Sequence, residues 1–236
     1  MLINKKKLTA IIPARMGSKE IIHKNIKKFY GKPLIYWTIS AALSSKYIDD
    51  VIVNTDSELI ASLSIAYGAK VPFLRSEELS GDNVYSIEVI KDMICKCNLD
   101  DWIIMLQATS PLRNYIHIDE MCNLLKNKNY KSIVSVKNTR EIPSWQYSIK
   151  NSYLIPLQDK QSLLRQEENK YYTLNGAQYL ASTKQILKEG FINDETAAYF
   201  MSEKNSIDID NKFDWEIAEF FLNKSGAPET MNALNI

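Results

Sequence analysis

Three stretches of this chain hold residues whose types and spacing could do chemistry. The first is Pro13-Ala-Arg15-Met-Gly17-Ser18-Lys19, running on to Lys24-Asn25. A loop with a glycine, a serine and three cations suits a polyphosphate, because backbone N–H groups and fixed positive side chains replace the water around phosphate oxygens. It is neither the G-x-x-x-x-G-K-[ST] loop nor the G-x-G-x-x-G fingerprint, and a solvated basic loop is the plain alternative. The second is Ser206-Ile-Asp208-Ile-Asp210. In an extended chain residues i and i+2 point the same way, so Ile207 and Ile209 are expected inside and Asp208 and Asp210 outside. Two neighbouring carboxylates suit magnesium, which takes one or two of them together with substrate phosphates; two solvated aspartates are the alternative. The third is Leu106-Gln107-Ala-Thr109-Ser110-Pro111-Leu-Arg113, whose neutral donors and acceptors suit a base or sugar edge, or only a turn. A phosphate cradle together with a carboxylate pair is the equipment of phosphoryl or nucleotidyl transfer, in which a metal and cations neutralise charge at phosphorus.

These residues need strands and helices to hold them. Leu8–Pro13, Asp50–Asn54, Trp102–Leu106 and Ser132–Val136 are apolar runs that read as strands, and Val71–Leu74 is a further candidate. Helical spacing follows Pro33 and recurs over Ser86–Lys96 and Ile116–Leu125. Thr55-x-x-Glu58 reads as a capping box opening a helix that Gly68 stops. The alternation predicts an α/β fold, a mainly parallel sheet flanked by helices, with ligands bound beyond the strands' carboxyl ends. Two of the three chemical stretches, Arg15–Asn25 and Gln107–Arg113, follow such strands. Past residue 136 the rhythm breaks: 145–149 and 153–157 read as a hairpin, 176–181 as a strand, 183–188 and 213–223 as helices. The segment 140–172 reads as an excursion from a single domain spanning 1–236.

Composition excludes other classes. With 45% hydrophobic and 24% charged residues and seven each of Gly and Pro, the chain is neither disordered nor low-complexity. The net charge of +1 argues against a nucleic-acid binder, yet residues 1–28 hold eight cations against one anion, Glu20. No apolar run approaches the ~20 residues of a membrane span, so no membrane partner and a cytoplasmic location are expected. Cys95, Cys97 and Cys122 lack the pattern of a zinc site or a disulfide framework.

Taken in order, IIPARMGSK followed by KNI, then GKPLIYWTI, VIVNTDSELIA, VPFLRSEELSGDNVYSIEVI, LQATSPLR, LNGAQY and SIDIDNKFDWEIAE resemble the acylneuraminate cytidylyltransferases, or CMP-sialic acid synthetases, over roughly residues 8–222. The resemblance implies a Rossmann-like nucleotidyltransferase fold that dimerises through an extension matching 140–172. It implies transfer of CMP from CTP to the anomeric hydroxyl of a nine-carbon 2-keto sugar acid, with release of pyrophosphate. Arg15, Lys19 and Lys24 would neutralise the phosphates. Ser18, Asn25, Arg75, Ser86 and Gln107 would complete the nucleotide site. Gln107, Tyr179, Phe191 and the partner subunit's copy of Arg165 would meet the acceptor, and Asp208 and Asp210 would hold Mg2+. Departures cluster on the acceptor side: Trp145 stands for a common Lys, Ile192 for a second aromatic, and a Leu-Pro after Arg165 is missing. They suit a deoxy or diamino acid of the legionaminate or pseudaminate kind. Glu20 replaces a usual Gly of the phosphate loop. The alternatives are a nucleotidyltransferase for another acceptor (3-deoxy-manno-octulosonate or a sugar 1-phosphate) and an inactive nucleotide-binding homologue.

Overall fold

The computed structural model describes residues 6–128, 130–139, 141, 143–157 and 170–225. Its centre is a six-stranded sheet built from β1 (Leu8–Pro13), β4 (Asp50–Asn54), β5 (Trp102–Leu106), β6 (Ser132–Asn138), β9 (Tyr172–Ser182) and β10 (Ala197–Phe200). Two short ladders lie outside it: β2 (Lys28–Phe29) with β3 (Lys32–Pro33), and β7 (Tyr147–Lys150) with β8 (Tyr153–Pro156). The sheet order is β10-β6-β9-β5-β1-β4. β1 pairs in parallel with β4 and β5, and β6 with β10, whereas β9 runs antiparallel to both β5 and β6. One reversed strand therefore joins two parallel halves.

Both faces are covered, which is why β1 and β5 are continuous apolar runs rather than alternating ones. Ala10, Ile12, Ile104 and Leu106 face a core closed by α1 (Leu34–Leu43), α2 (Glu58–Ala66) and α4 (Tyr115–Lys128). Ile11, Ile103 and Met105 face the opposite core, with Ile90 and Met93 of α3 (Ser86–Lys96) and Ile186 of α5 (Thr183–Glu189). A third cluster joins Ile21, Phe29, Trp37 and Ile209 to Trp215 and Leu222 of α6 (Lys212–Ser225). It matters for function, because it fastens the segment around Ile209 to the loop that follows β1.

The chain leaves β1 for β4 on one side and returns to β5 on the other. The loops after β1 and β5 therefore diverge, opening a crevice at the carboxyl end of the sheet.

Two local expectations fail. Val71–Leu74 is not a strand: only Lys70 bridges to Ile52. Pro72 has no N–H for a ladder, so an apolar run is not enough. The cap of α2 is Ser57, whose hydroxyl accepts from Ile60 N at 3.4 Å, and Thr55 instead receives Ser57 N at 3.2 Å. β10 had no counterpart in the sequence reading, and 158–169 with Arg165 lie outside the described residues.

Candidate active site

The crevice is a cavity of about 440 Å³. It is lined by Arg15, Ser18, Lys19, Lys24, Asn25, Arg75, Ser86, Gln107 and Asp210, so nine of the residues singled out by sequence meet in one place. The size falls in the ~300–1,000 Å³ range of small-molecule sites.

The β1 loop is held at both ends. Ala14 N donates to Asn54 O at 2.9 Å and Met16 N to Asp56 Oδ1 at 2.9 Å, which tie it to the end of β4. Asn25 is buried and its Nδ2 donates to Arg15 O at 2.8 Å. Asn25 therefore fixes the loop, and its buried Oδ1 has no partner among the described residues. Arg75 is buried beside it, with Nη2 donating to Asn54 O at 2.7 Å and Nε to Asn54 Oδ1. Burial lowers its pKa from the usual guanidinium value, against a reserve large enough that the charge persists at neutral pH.

The other wall is built on β5 and β9. Gln107 has its backbone O bonded by Thr38 Oγ1 at 3.1 Å, and Thr38 in turn receives Arg113 Nη2 at 2.8 Å. Arg113 is fully buried, and desolvation lowers its pKa to about 9. Gly176 O and Asp208 Oδ2 are both acceptors, so the Gln107 amide is assigned with its nitrogen toward them, and in that orientation it donates to Gly176 O at 3.1 Å and to Asp208 Oδ2 at 3.0 Å. Gly176 sits in a bulge: β9 advances from Leu174 to Tyr179 while β6 advances only from Val134 to Val136. Asn175 braces the bulge by accepting from Ala177 N at 3.1 Å and donating to Ser206 Oγ at 2.8 Å. Gly176 takes φ +75°, where an L residue is strained, and a Cβ there would collide with the Gln107 amide. The sequence reading began this strand at Gly176 and so missed the bulge; the strand starts at Tyr172, and a glycine inside it is the signal that could have found it.

The aspartates differ from the expectation that both face outward. Asp208 is half-buried, bonded by Thr109 Oγ1 and the Gln107 amide, and burial raises its pKa. Asp210 is open, its side chain 73% exposed, and pairs with Lys24 Nζ at 3.1 Å. Lys24 also donates to Ile209 O at 2.5 Å. The reason for the asymmetry is Ile209, fully buried in the third cluster, whose N donates to Thr109 O at 2.8 Å. Burial at Ile209 pins the segment against the β5 loop, so Asp208 is covered by that loop while Asp210 leaves it. No group of three His, Cys, Asp or Glu side chains converges on a metal position among the described residues. Two carboxylates alone do fit a hard cation that completes its shell with water and phosphate, and not a structural zinc.

Tyr179 and Phe191 pack on each other, ring centroids 5.8 Å apart, but neither lines the cavity. Phe191 is buried in the core beside α3 and α5, and Ile192 is exposed. Glu20 lines the cavity and is exposed. Sequence reasoning missed Asp82, which accepts from Arg15 Nη1 at 2.6 Å and pairs with Lys19 Nζ at 2.7 Å.

A family model described as cytidylyltransferase matches residues 9–224. The chain belongs to the cytidylyltransferase family. Among curated relatives, it is 38% identical to the CMP-N,N'-diacetyllegionaminic acid synthase of Legionella pneumophila over 90% of this chain and 95% of that one. It is 36% identical to an N-acylneuraminate cytidylyltransferase of Escherichia coli over 90% of this chain, spanning about half (51%) of that longer protein. A pseudaminic acid cytidylyltransferase of Campylobacter jejuni is 33% identical over 89% of this chain and 93% of its own. The solved structure of CMP:2-keto-3-deoxy-manno-octonic acid synthetase complexed with CTP superposes with a TM-score of 0.71 at 14% identity, covering 92% of this chain and 99% of that one. That likeness bears on the fold alone. The Rossmann-like nucleotidyltransferase fold and the family expected from the motifs are thus both borne out.

Proposed function

We propose that this enzyme transfers CMP from CTP to the anomeric hydroxyl of a nonulosonic acid, releasing pyrophosphate. The observation that carries the reading is the convergence of Arg15, Lys19, Lys24 and Arg75 with Asp210 and Gln107 around one cavity at the switch point of the sheet. Four cations suit a triphosphate, and the amide of Gln107 and hydroxyl of Thr109 suit neutral oxygen-rich groups. The curated relatives named for legionaminic, sialic and pseudaminic acids support an acceptor of that class.

In this reading Arg15, Lys19 and Lys24 bind the triphosphate and neutralise the charge that builds on pyrophosphate as it leaves. Asn25 keeps the loop carbonyl turned away from that anion. The Ser86 end of α3 adds the positive pole of a helix. Gln107 orients Asp208 and the acceptor and the partner subunit's Arg165 completes the acceptor side, whereas Tyr179 and Phe191, which pack on each other outside the cavity, take no direct part in it. Asp208 and Asp210 would hold magnesium, which supplies charge neutralisation at the phosphates and acidifies bound water. Lys24 would then pass from Asp210 to phosphate. Dimerisation is supported by the β7–β8 ladder, whose Ile149, Tyr153 and Leu154 are 75%, 76% and 66% exposed, a patch that calls for a partner. No helix among the described residues is long and apolar enough to cross a membrane, in keeping with a cytoplasmic supply of CTP.

The test is pyrophosphate release from CTP, magnesium and a panel of acids: legionaminate, pseudaminate, N-acetylneuraminate and 3-deoxy-manno-octulosonate. Turnover with a nine-carbon acid is expected. Release with the eight-carbon acid alone, or none with any acid although CTP binds, overturns the reading.

A further inference from the structure

The cations assigned to the triphosphate are already engaged. Asp82 splits its two carboxylate oxygens between Arg15 Nη1 at 2.6 Å and Lys19 Nζ at 2.7 Å. A phosphate group would divide its oxygens between the same donors in the same way. Asp82 comes from a turn-rich loop, Ser80-Gly-Asp-Asn83, between the short turn Glu77–Leu79 and α3, and it reaches the β1 loop across 67 residues of sequence. The loop itself lines the cavity through Leu79, Gly81, Asp82 and Val84.

A purely structural clamp would be buried, and this one is not. The side chains of Asp82 and Lys19 are 43% and 75% exposed. Exposed ion pairs stabilise weakly and are readily exchanged. Hydrogen bonds from Lys19 and then Arg15 hold the Asp82 carboxyl below its ordinary range, so it remains an anion wherever the enzyme works. The bond is thus strong enough to organise the two cations and weak enough to give way to an ion of higher charge.

We propose that Asp82 is a phosphate-competing gate: it holds Arg15 and Lys19 in the free enzyme, yields them to the polyphosphate of the nucleotide, and reclaims them as pyrophosphate departs. The proposal rests on the nucleotidyl-transfer reading above. Every polyphosphate that uses the Arg15–Lys19 pair must first displace the same carboxylate. Its apparent affinity is therefore reduced by the fraction of enzyme with the gate open, and pyrophosphate is reduced as much as CTP. Rapid release of a tightly held product is what such competition provides.

The experiment is calorimetric titration of the full chain with CTP and, separately, with inorganic pyrophosphate, both with magnesium. Wild type is compared with Asp82→Asn, Asp82→Ala and Glu20→Gln. Glu20 is the charge control, since it lines the same cavity and makes no ion pair with a described residue. Thermal melts confirm folding of each variant. Both Asp82 variants should tighten pyrophosphate and CTP on the order of tenfold, with a lower inhibition constant for pyrophosphate in turnover, and Glu20→Gln should shift either by less than about threefold. Unchanged or weaker binding in the Asp82 variants overturns the gate in favour of a clamp. An equal effect of Glu20→Gln overturns it in favour of the general field of the site. Failure of wild type to bind CTP refutes the nucleotide reading instead, and the pyrophosphate titrations still decide on the gate.

Discussion

Gly176→Ala tests how the wall of the site is built. The new methyl group would meet the end of the Gln107 amide, with its Cδ at 3.1 Å and Asp208 Oδ2 at 3.2 Å, at a residue with φ +75°. Strain at that φ costs about 1–2 kcal/mol for an alanine. The collision is with the end of a flexible side chain, so Gln107 swings away rather than the backbone. That forfeits its bonds to Gly176 O and Asp208 Oδ2, of which about 1 kcal/mol is lost net once water meets the amide in the open cavity. The sum is about 2–3 kcal/mol of stability, measurable by urea denaturation. Activity should suffer more. Misplacing a group that aims both Asp208 and substrate is expected to lower kcat/KM by roughly ten- to a hundredfold. The two effects separate in a double-mutant cycle with Gln107→Ala. Backbone strain does not depend on Gln107, so most of the stability loss should persist in that background. The activity loss acts only through Gln107, so it should shrink there to less than about twofold. Equal kinetic penalties of Gly176→Ala with and without Gln107 would refute the claim that the bulge works by steering that amide.

Four other outcomes are expected. Asp210→Ala should leave the melting temperature nearly unchanged, because the side chain is 73% exposed, and should abolish turnover at ordinary magnesium; if Asp210 were only a partner for Lys24, CTP affinity would rise and turnover would survive. Lys24→Met should lower kcat by about a hundredfold or more, as loss of one charge-stabilising donor does, and a change confined to the KM for CTP would remove Lys24 from the chemical step. Arg165→Ala should raise the acceptor KM far more than that of CTP, and equal effects would remove it from the acceptor site. His117 is largely buried beside Arg113, and burial with that charge lowers its pKa to about 4. The unfolded chain takes up the proton near pH 6.5 and the folded one only near pH 4, so folding stability falls as pH drops through that window, by about 2 kcal/mol between pH 7 and 5. His117→Gln should remove this component from the pH dependence of urea midpoints.

What could be read from the sequence, and what could not, follows the range of the interactions involved. β1, β4 and β5 are short apolar runs buried on both faces, and burial is written residue by residue, so they and the crevice at their ends were legible. Gly17, Lys24 and Asp210 were legible as residues of the cavity, because a glycine among clustered cations and a pair of neighbouring aspartates stand out by type. Val71–Leu74 misled because hydrophobicity reports burial, and a ladder also requires the N–H that Pro72 lacks. Asp208 misled because the period-two rule gives residues i and i+2 one shared environment, whereas Ile209 anchors this segment against Thr109 and so covers one aspartate and frees the other. Asp82 was silent for a stronger reason. Locally it is one acid in a Ser-Gly-Asp-Asn turn, a composition that turn chemistry alone explains. Its partners lie 63 and 67 residues away. Only the fold makes it the counter-ion of Arg15 and Lys19. The cations of a polyphosphate site announce themselves by clustering, because they must all reach one ligand. An anion that competes with that ligand, as proposed for Asp82, need only arrive from across the cavity, and it carries no local mark.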